Sequence, residues 1–231
     1  MAKINKSISV VFPAYNEESN IGMLIDKTIS ILKEHTDTWE IIIVNDGSTD
    51  KTAEVIQRYR NKNLSLINHP HNKGYGAAVK SGIASAKNDV IFFSDSGLQF
   101  DMSELSILLY WIKEYDIVIG YRRNRRDSFM RRLNAFGWNI LVKLAFDLKV
   151  KDINCAFKMF KRHVFDKISV HANGAMINTE ILAQAVRYGF KIKEVPVTHY
   201  PRLKGQQTGA HIKVIFKAFK ELFQFYRKLK K

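Results

Sequence analysis

Three short polar stretches stand directly after apolar runs. They are Pro13-Ala14-Tyr15-Asn16-Glu17-Glu18 after residues 8–12, Asn45-Asp46-Gly47-Ser48-Thr49-Asp50 after residues 40–44, and Asp95-Ser96-Gly97-Leu98-Gln99-Phe100-Asp101 after residues 90–94. Carboxylate and amide oxygens in such stretches can accept hydrogen bonds from a nucleobase N–H or ligate a hard divalent cation. Any one of them also reads as an ordinary turn or N-cap; three together ask for a shared purpose. A fourth stretch, Asn72-Lys73-Gly74-Tyr75-Gly76-Ala77-Ala78, puts two glycines and a lysine before a helix, where backbone N–H groups can meet a phosphate. Farther on, Arg122, Arg123, Arg125, Arg126, Arg131 and Arg132 crowd into eleven residues, 122–132. A solvated basic loop is the usual meaning of such a run, yet arginine also grips phosphate through paired donors.

The apolar runs that must position these residues are short and β-branched or aromatic: 8–12, 40–44, 64–68, 90–94 and 117–120, with a further strand expected over 191–195. Between them, apolar residues recur at helical spacing over 21–34, 52–60, 77–86 and 102–114, and later over 129–146 and 178–188. Strands that are nearly all apolar and alternate with helices indicate an α/β fold with a mostly parallel sheet covered on both faces. In such a sheet ligands bind outside the carboxyl ends of the strands, which is where the polar stretches fall.

Composition narrows the reading. The 231 residues leave room for one good-sized domain with an appendage, or at most two small ones, at roughly 150 residues per domain. Hydrophobic residues at 46 % exclude a disordered chain. The lone Cys155 excludes an intramolecular disulfide and a cysteine-rich zinc site, and fits a reducing, cytoplasmic location; with no evident base partner it reads as a small packing residue. The seven histidines show no metal-ligand spacing and read as surface or turn residues. No window reaches the ~18 uninterrupted apolar residues of a membrane span. A net charge of +15 asks for an anionic partner, and without an interleaved aromatic stacking platform nucleic acid is the least favoured one.

In order and spacing, the segment from Val10 to Glu17, then Val44 to Asp50, then Asn72 to Ala78, then Asp95 with Gln99, resemble the successive motifs of family 2 glycosyltransferases. The branch most similar is that of the polyprenyl-phosphate (dolichyl-phosphate) mannosyl- and glucosyltransferases. The segments Asp152-Ile153-Asn154-Cys155-Ala156-Phe157-Lys158-Met159-Phe160 and Glu194-Val195-Pro196-Val197 extend the likeness, to roughly residues 7–209. The resemblance implies a GT-A fold: a mostly parallel nucleotide-binding sheet flanked by helices, holding a UDP- or GDP-linked sugar, with Mg²⁺ or Mn²⁺ bridging the diphosphate. Residues 1–210 would form that domain, with a nucleotide-sugar half over about 1–120 and an acceptor half over about 121–210. Pro13, Tyr15, Glu17 and Asp46 would surround base and ribose, with Lys73 also on the donor side, and Asp95 would open the metal motif. One departure bears on the metal. The motif's second Asp, two residues after the first, is Gly97 here, which leaves Asp95 and Gln99 as the implied ligands of a weakened site. Asp101 is the one candidate to substitute, but Asp101-Met102-Ser103-Glu104 also reads as an N-cap with Glu at N3.

The same resemblance puts Arg122, Arg131 and Arg202 on the phosphate of a polyprenyl phosphate acceptor. A phosphate nucleophile is already anionic and needs no strong general base, whereas a sugar hydroxyl does. The expected function is thus inverting transfer of a sugar from a nucleotide to a polyprenyl phosphate at the cytoplasmic membrane face. The alternatives are a glycosyltransferase acting on a hydroxyl of a glycan or glycolipid, and a catalytically dead membrane-bound partner, the last motivated by Gly97. Residues 211–231 place Ile212, Ile215, Phe216, Phe219, Leu222, Phe223, Tyr226 and Leu229 at three- and four-residue spacing, with lysines on much of the opposite side. This predicts a C-terminal basic amphipathic helix that lies on an anionic membrane surface. The competing expectation is that its apolar face packs on the catalytic domain. The sequence leaves sugar, base, polyprenol and oligomeric state open.

Overall fold

The computed structural model describes residues 6–123, 137, 140–143, 145–202, 221, 222, 225 and 227. Arg131, most of the helix expected over 129–146 and most of 211–231 lie outside the described residues.

Seven strands form one sheet in the order β3-β2-β1-β4-β6-β5-β7: β1 Ile8–Ala14, β2 Trp39–Asn45, β3 Leu64–Asn68, β4 Val90–Ser94, β5 Ile117–Arg123, β6 Phe157–Lys161 and β7 Ile192–Thr198. β1 pairs parallel with β2 and β4, β2 with β3, and β5 with β7. β6 runs antiparallel to both β4 and β5, so the sheet is mixed but mostly parallel. This strand escapes a pattern-based reading because Lys158 sits in its middle, where a buried strand ordinarily has an apolar residue.

The pleat divides the apolar residues between two cores. Val10, Phe12, Ile41, Ile43, Phe92 and Phe157 face one side, under α1 (Ile21–His35), α2 (Thr52–Gln57) and α4 (Leu105–Trp111). Val11, Ile42, Val44, Ile91, Phe93 and Phe160 face the other, under α3 (Tyr75–Ser85), α5 (Val164–Lys167) and α6 (Ile177–Arg187). Burial on both faces is why these strands read as continuous apolar runs. Gly82 lets α3 lie directly on the sheet, since a Cβ there would come within 2.2 Å of Val11 Cγ1.

Local chemistry sets the ends of several elements. Asp101 accepts from Ser103 N–H at 3.0 Å and caps a 3₁₀ turn over Met102–Glu104 that leads into α4, so it does the work of an N-cap. Glu104 does not complete the capping box; its carboxylate accepts from the Thr198 N–H and hydroxyl, both at 2.7 Å, and ties the end of β7 to this turn. Leu222 and Phe225 belong to the second core, with the Phe225 ring 5.3 Å from that of Phe146. Those two side chains therefore pack on the domain. Among the described residues no helix is long and apolar enough to cross a membrane.

Candidate active site

The first two polar stretches are zipped together at the carboxyl edge of β1 and β2. Asn16, with φ at 55°, receives a hydrogen bond on its side chain from Thr49 N–H at 2.8 Å and donates its own N–H to Ser48 Oγ at 3.0 Å. Glu17 N–H donates to Thr52 Oγ1 at 2.8 Å, and Lys51 N–H donates to Glu18 at 3.0 Å. From β4, Ser96 Oγ donates to the Pro13 carbonyl at 2.7 Å and joins the third stretch to the first. Pro13 is buried in β1 while Tyr15 stands exposed at its exit. The strand ends thus bring Glu17, Asp46 and Asp95 to one edge of the sheet, as their positions after β1, β2 and β4 lead one to expect.

Asp46 is buried and fully engaged. Its Oδ1 lies 2.6 Å from His69 Nδ1 and accepts from Lys73 N–H at 2.9 Å, and its Oδ2 accepts from Gly74 N–H at 2.9 Å. His69 Nε2 in turn lies 2.9 Å from Ser81 Oγ on α3. The Gly-rich stretch is likewise committed, because Gly76 and Ala77 N–H both point to the Asn173 carbonyl. Its backbone donors, expected to be open to a phosphate, are used inside the protein: Asp46 and Asn173 fix where α3 begins, and the Lys73 side chain projects into solvent. His69 corrects the expectation of surface histidines. Its position immediately after β3 was the signal, since the strand-end logic that finds Asp46 also points to it.

Asp95 sits above a cluster of buried polar groups. Desolvation raises its carboxyl to about 6, against the pull of the Arg122 and Lys158 charges. Burial and the Asp95 charge push the Tyr75 phenol well above 10. Lys158, fully buried in β6, is lowered to about 8 by desolvation; its ammonium donates to the carbonyls of Ile153 and Cys155 and to Asn178 Oδ1. Cys155 is buried with its thiol pushed up to about 12, chiefly by burial, which suits packing and not nucleophilic attack.

Arg122, at the exit of β5, forms a two-pronged pair with Asp152, Nε to Oδ2 at 2.7 Å and Nη2 to Oδ1 at 2.8 Å. Asp152 and Lys158 fall in the 152–160 segment that extends the family likeness, but nothing there points to their partners, and Asn178 stands in no motif at all. Arg202 is not beside Arg122's carboxylate but beside Glu17: its Nη2 donates to Glu17 Oε1 at 2.6 Å. Gln99 is close by. It approaches His199 Nε2 at 3.4 Å, and its carbonyl accepts from Tyr200 N–H at 2.8 Å, so the segment leading to Arg202 is fastened to the metal-motif stretch.

With this geometry in view, the comparisons with known proteins are specific. A family model described as "Glycosyl transferase family 2" matches residues 9–169. The chain belongs to that family. It is 32 % identical over 211 residues to a dolichyl-phosphate beta-glucosyltransferase of Trichomonas vaginalis, covering 82 % of this chain and 64 % of that protein. It is 30 % identical over 214 residues to an undecaprenyl-phosphate 4-deoxy-4-formamido-L-arabinose transferase of Pectobacterium carotovorum, covering 91 % and 64 %. The chain thus spans a little under two thirds of the length of these relatives. In fold it is similar to glucosyl-3-phosphoglycerate synthase from Mycobacterium tuberculosis, solved with Mn²⁺, UDP-glucose and phosphoglyceric acid, with a TM-score of 0.75 at 19 % identity over 96 % of this chain and 80 % of that one. The mixed sheet flanked by helices is the GT-A fold.

Proposed function

We propose that this chain is the catalytic domain of an inverting glycosyltransferase that moves a sugar from a nucleotide-sugar donor onto an acceptor oxygen. The observation that carries the reading is the meeting of Glu17, Asp46 and Asp95 at the carboxyl ends of β1, β2 and β4 in a family 2 sheet, with Arg122 and Arg202 at the same edge. In the reaction the bond between the sugar's anomeric carbon and the donor phosphate breaks, its electron pair leaves on the nucleoside diphosphate, and the acceptor oxygen bonds to the opposite face. Cationic groups aimed at the departing diphosphate lower that barrier. Glu17 and the loop that Asp46 pins would shape the base and ribose pocket.

Asp95 and Gln99 present a carboxylate and an amide oxygen, donors of the kind that Mg²⁺ and Mn²⁺ take, and would hold such an ion together with the donor's own phosphates. When bound, the ion would neutralise diphosphate charge. Among the described residues no group of three or more His, Cys, Asp or Glu side chains is arranged as a metal cage.

Two acceptor chemistries have support. A hydroxyl acceptor is favoured by the fold likeness to a synthase solved with phosphoglyceric acid. A polyprenyl phosphate, at an anionic membrane surface, is favoured by the printed activities of the relatives at 30–32 % identity and by the commitment of Asp152 to Arg122, which leaves that carboxylate poorly placed to take a proton from a hydroxyl. The test is turnover with a panel of UDP- and GDP-sugars against polyprenyl phosphate, phosphoglyceric acid and glycolipid acceptors. A lipid-linked product that survives base and is cleaved by mild acid selects the phosphate acceptor; a product stable to both selects the hydroxyl. Asp95→Ala should abolish transfer. Nucleotide binding without turnover on any acceptor would overturn the enzyme in favour of a catalytically dead partner.

A further inference from the structure

Gly97 and Arg202 fit each other. A Cβ at Gly97 would lie 3.0 Å from Arg202 Nη1 and 3.4 Å from its Cζ, so the guanidinium stands where a side chain at this position would begin. Gln99 Oε1 is 3.6 Å from the same point. Two backbone contacts fasten the segment that carries Arg202, and Glu17 holds the guanidinium itself. Tyr200 N–H bonds to the Gln99 carbonyl, Phe100 and His199 form a β-bridge, and Glu17 accepts the 2.6 Å bond from Nη2 while Asn20 donates to its other oxygen at 2.7 Å. Both side chains of the Arg202–Glu17 pair are largely out of solvent, 13 % and 7 % exposed.

A charge that is desolvated at the rim of a site for a dianionic ligand has a use there. On the reading of this edge as a nucleotide-sugar site, we propose that Arg202 is a protein-borne counter-cation for the donor's diphosphate, seated where Gly97 leaves room for it and held on Glu17 until the donor arrives. A second carboxylate at residue 97 would bind an ion that then binds phosphate; a guanidinium in its place binds phosphate directly, through paired donors. Exchange of one partner for the other conserves the pairing. Arg202 passes from a carboxylate to a diphosphate, and Glu17 is released toward the ribose and base side of the pocket. Donor binding then has a component that does not require a divalent ion.

The experiment is calorimetric titration of UDP and of GDP into the full chain, in chelator and in Mn²⁺. Wild type should bind one of the two nucleotides in chelator, and Arg202→Ala should weaken that binding at least about tenfold, with Arg202→Lys between them, as expected on losing a charged hydrogen bond. Gly97→Asp, whose Cβ meets the guanidinium of Arg202 and, at ordinary contact distance, Gln99 Oε1, should do the opposite of what Arg202 does: lose binding in chelator, regain it in Mn²⁺, and take up Mn²⁺ by electron paramagnetic resonance without nucleotide. This variant keeps the proposal testable should Arg202→Ala fail to fold. Binding by wild type only when Mn²⁺ is present overturns the role of Arg202 and leaves the nucleotide reading standing. Wild-type levels of binding in chelator by either Arg202→Ala or Gly97→Asp also overturn it. Failure of wild type to bind either nucleotide in either condition overturns the nucleotide reading itself, and the proposal with it.

Discussion

His69 Nδ1 and Asp46 Oδ1 lie 2.6 Å apart in the buried layer between β2 and α3, and the same carboxylate receives the N–H groups of Lys73 and Gly74. One acidic side chain therefore joins the end of β2, the end of β3 and the loop entering α3. Ser81 completes the chain of contacts from the helix side. Asp46 fixes the shape of this edge of the sheet by holding a loop, and any contact it makes with a ligand is made from this restrained position.

Breaking that arrangement should be felt first as lost stability. His69→Ala leaves a buried carboxylate short of a partner, at a cost of about 1–3 kcal/mol, visible as a lowered urea midpoint with unchanged slope. His69→Asn should recover part of the loss. Nucleotide affinity should fall in parallel, because the Lys73–Gly74 loop is no longer pinned. An unaltered midpoint for His69→Ala would show that the pair adds nothing to the fold.

How much of this was legible beforehand follows from where each interaction reaches. β3 and β4 coincide with their apolar runs, and β1, β2 and β5 extend theirs by a few residues, so the placement of Glu17, Asp46 and Asp95 beyond strand ends and of Arg122 in the last residues of β5 is readable from position, while the roles assigned to them rest on the family resemblance. β6 is not readable in this way, since Lys158 breaks the apolar pattern and its ammonium is satisfied only by carbonyls and an amide brought in from the 153–155 turn and α6. The partners of the site residues were also hidden. Arg202 meets Glu17 across 185 positions, and Arg122 meets Asp152 across 30, pairings that local propensity does not encode.

Arg122 and Asp152 have side chains only 12 % and 10 % exposed, so removing one leaves the other's charge desolvated. Asp152→Ala should destabilise the fold by about 3 kcal/mol, and the double variant with Arg122→Ala should cost less than the sum of the two singles. If Arg122 receives the acceptor, Asp152→Asn should raise the acceptor KM and leave donor affinity alone. A selective loss of donor affinity would instead put Arg122 at the nucleotide.

Acid should weaken the far edge of the sheet through Asp116. Partial desolvation works against its charge, but the Lys191 N–H and the charges of Lys161 and His163 outweigh it and hold the carboxyl below 3.8. A depressed folded value means that its contribution is complete above the unfolded value, about 3.9, and is lost as pH falls through the folded one. Thermal midpoints between about pH 4 and pH 2 should therefore fall less steeply for Asp116→Asn than for wild type. Parallel acid limbs would show that the carboxylate is equally acidic in the unfolded chain.

The last prediction concerns residues 211–231, where membrane contact and packing make different demands. Leu222 and Phe225 are 7 % and 9 % exposed, and Phe225, which the expected apolar face did not include, meets Phe146 beside the second core, so at least Leu222 of that face is already covered by protein. Truncating either side chain to alanine should cost about 2–4 kcal/mol, as for other large-to-small changes in a core. A chain ending at Ala210 should lose far more, and should expose the apolar surface that these two residues cover. The basic residues of the same segment are a separate matter: each is worth roughly 1 kcal/mol near an anionic leaflet and is screened by salt. Co-sedimentation with anionic vesicles at low and high salt should thus be the same for Leu222→Ala as for wild type while its urea midpoint drops. Loss of vesicle binding together with an unchanged midpoint would mean that Leu222 serves the membrane and not the core.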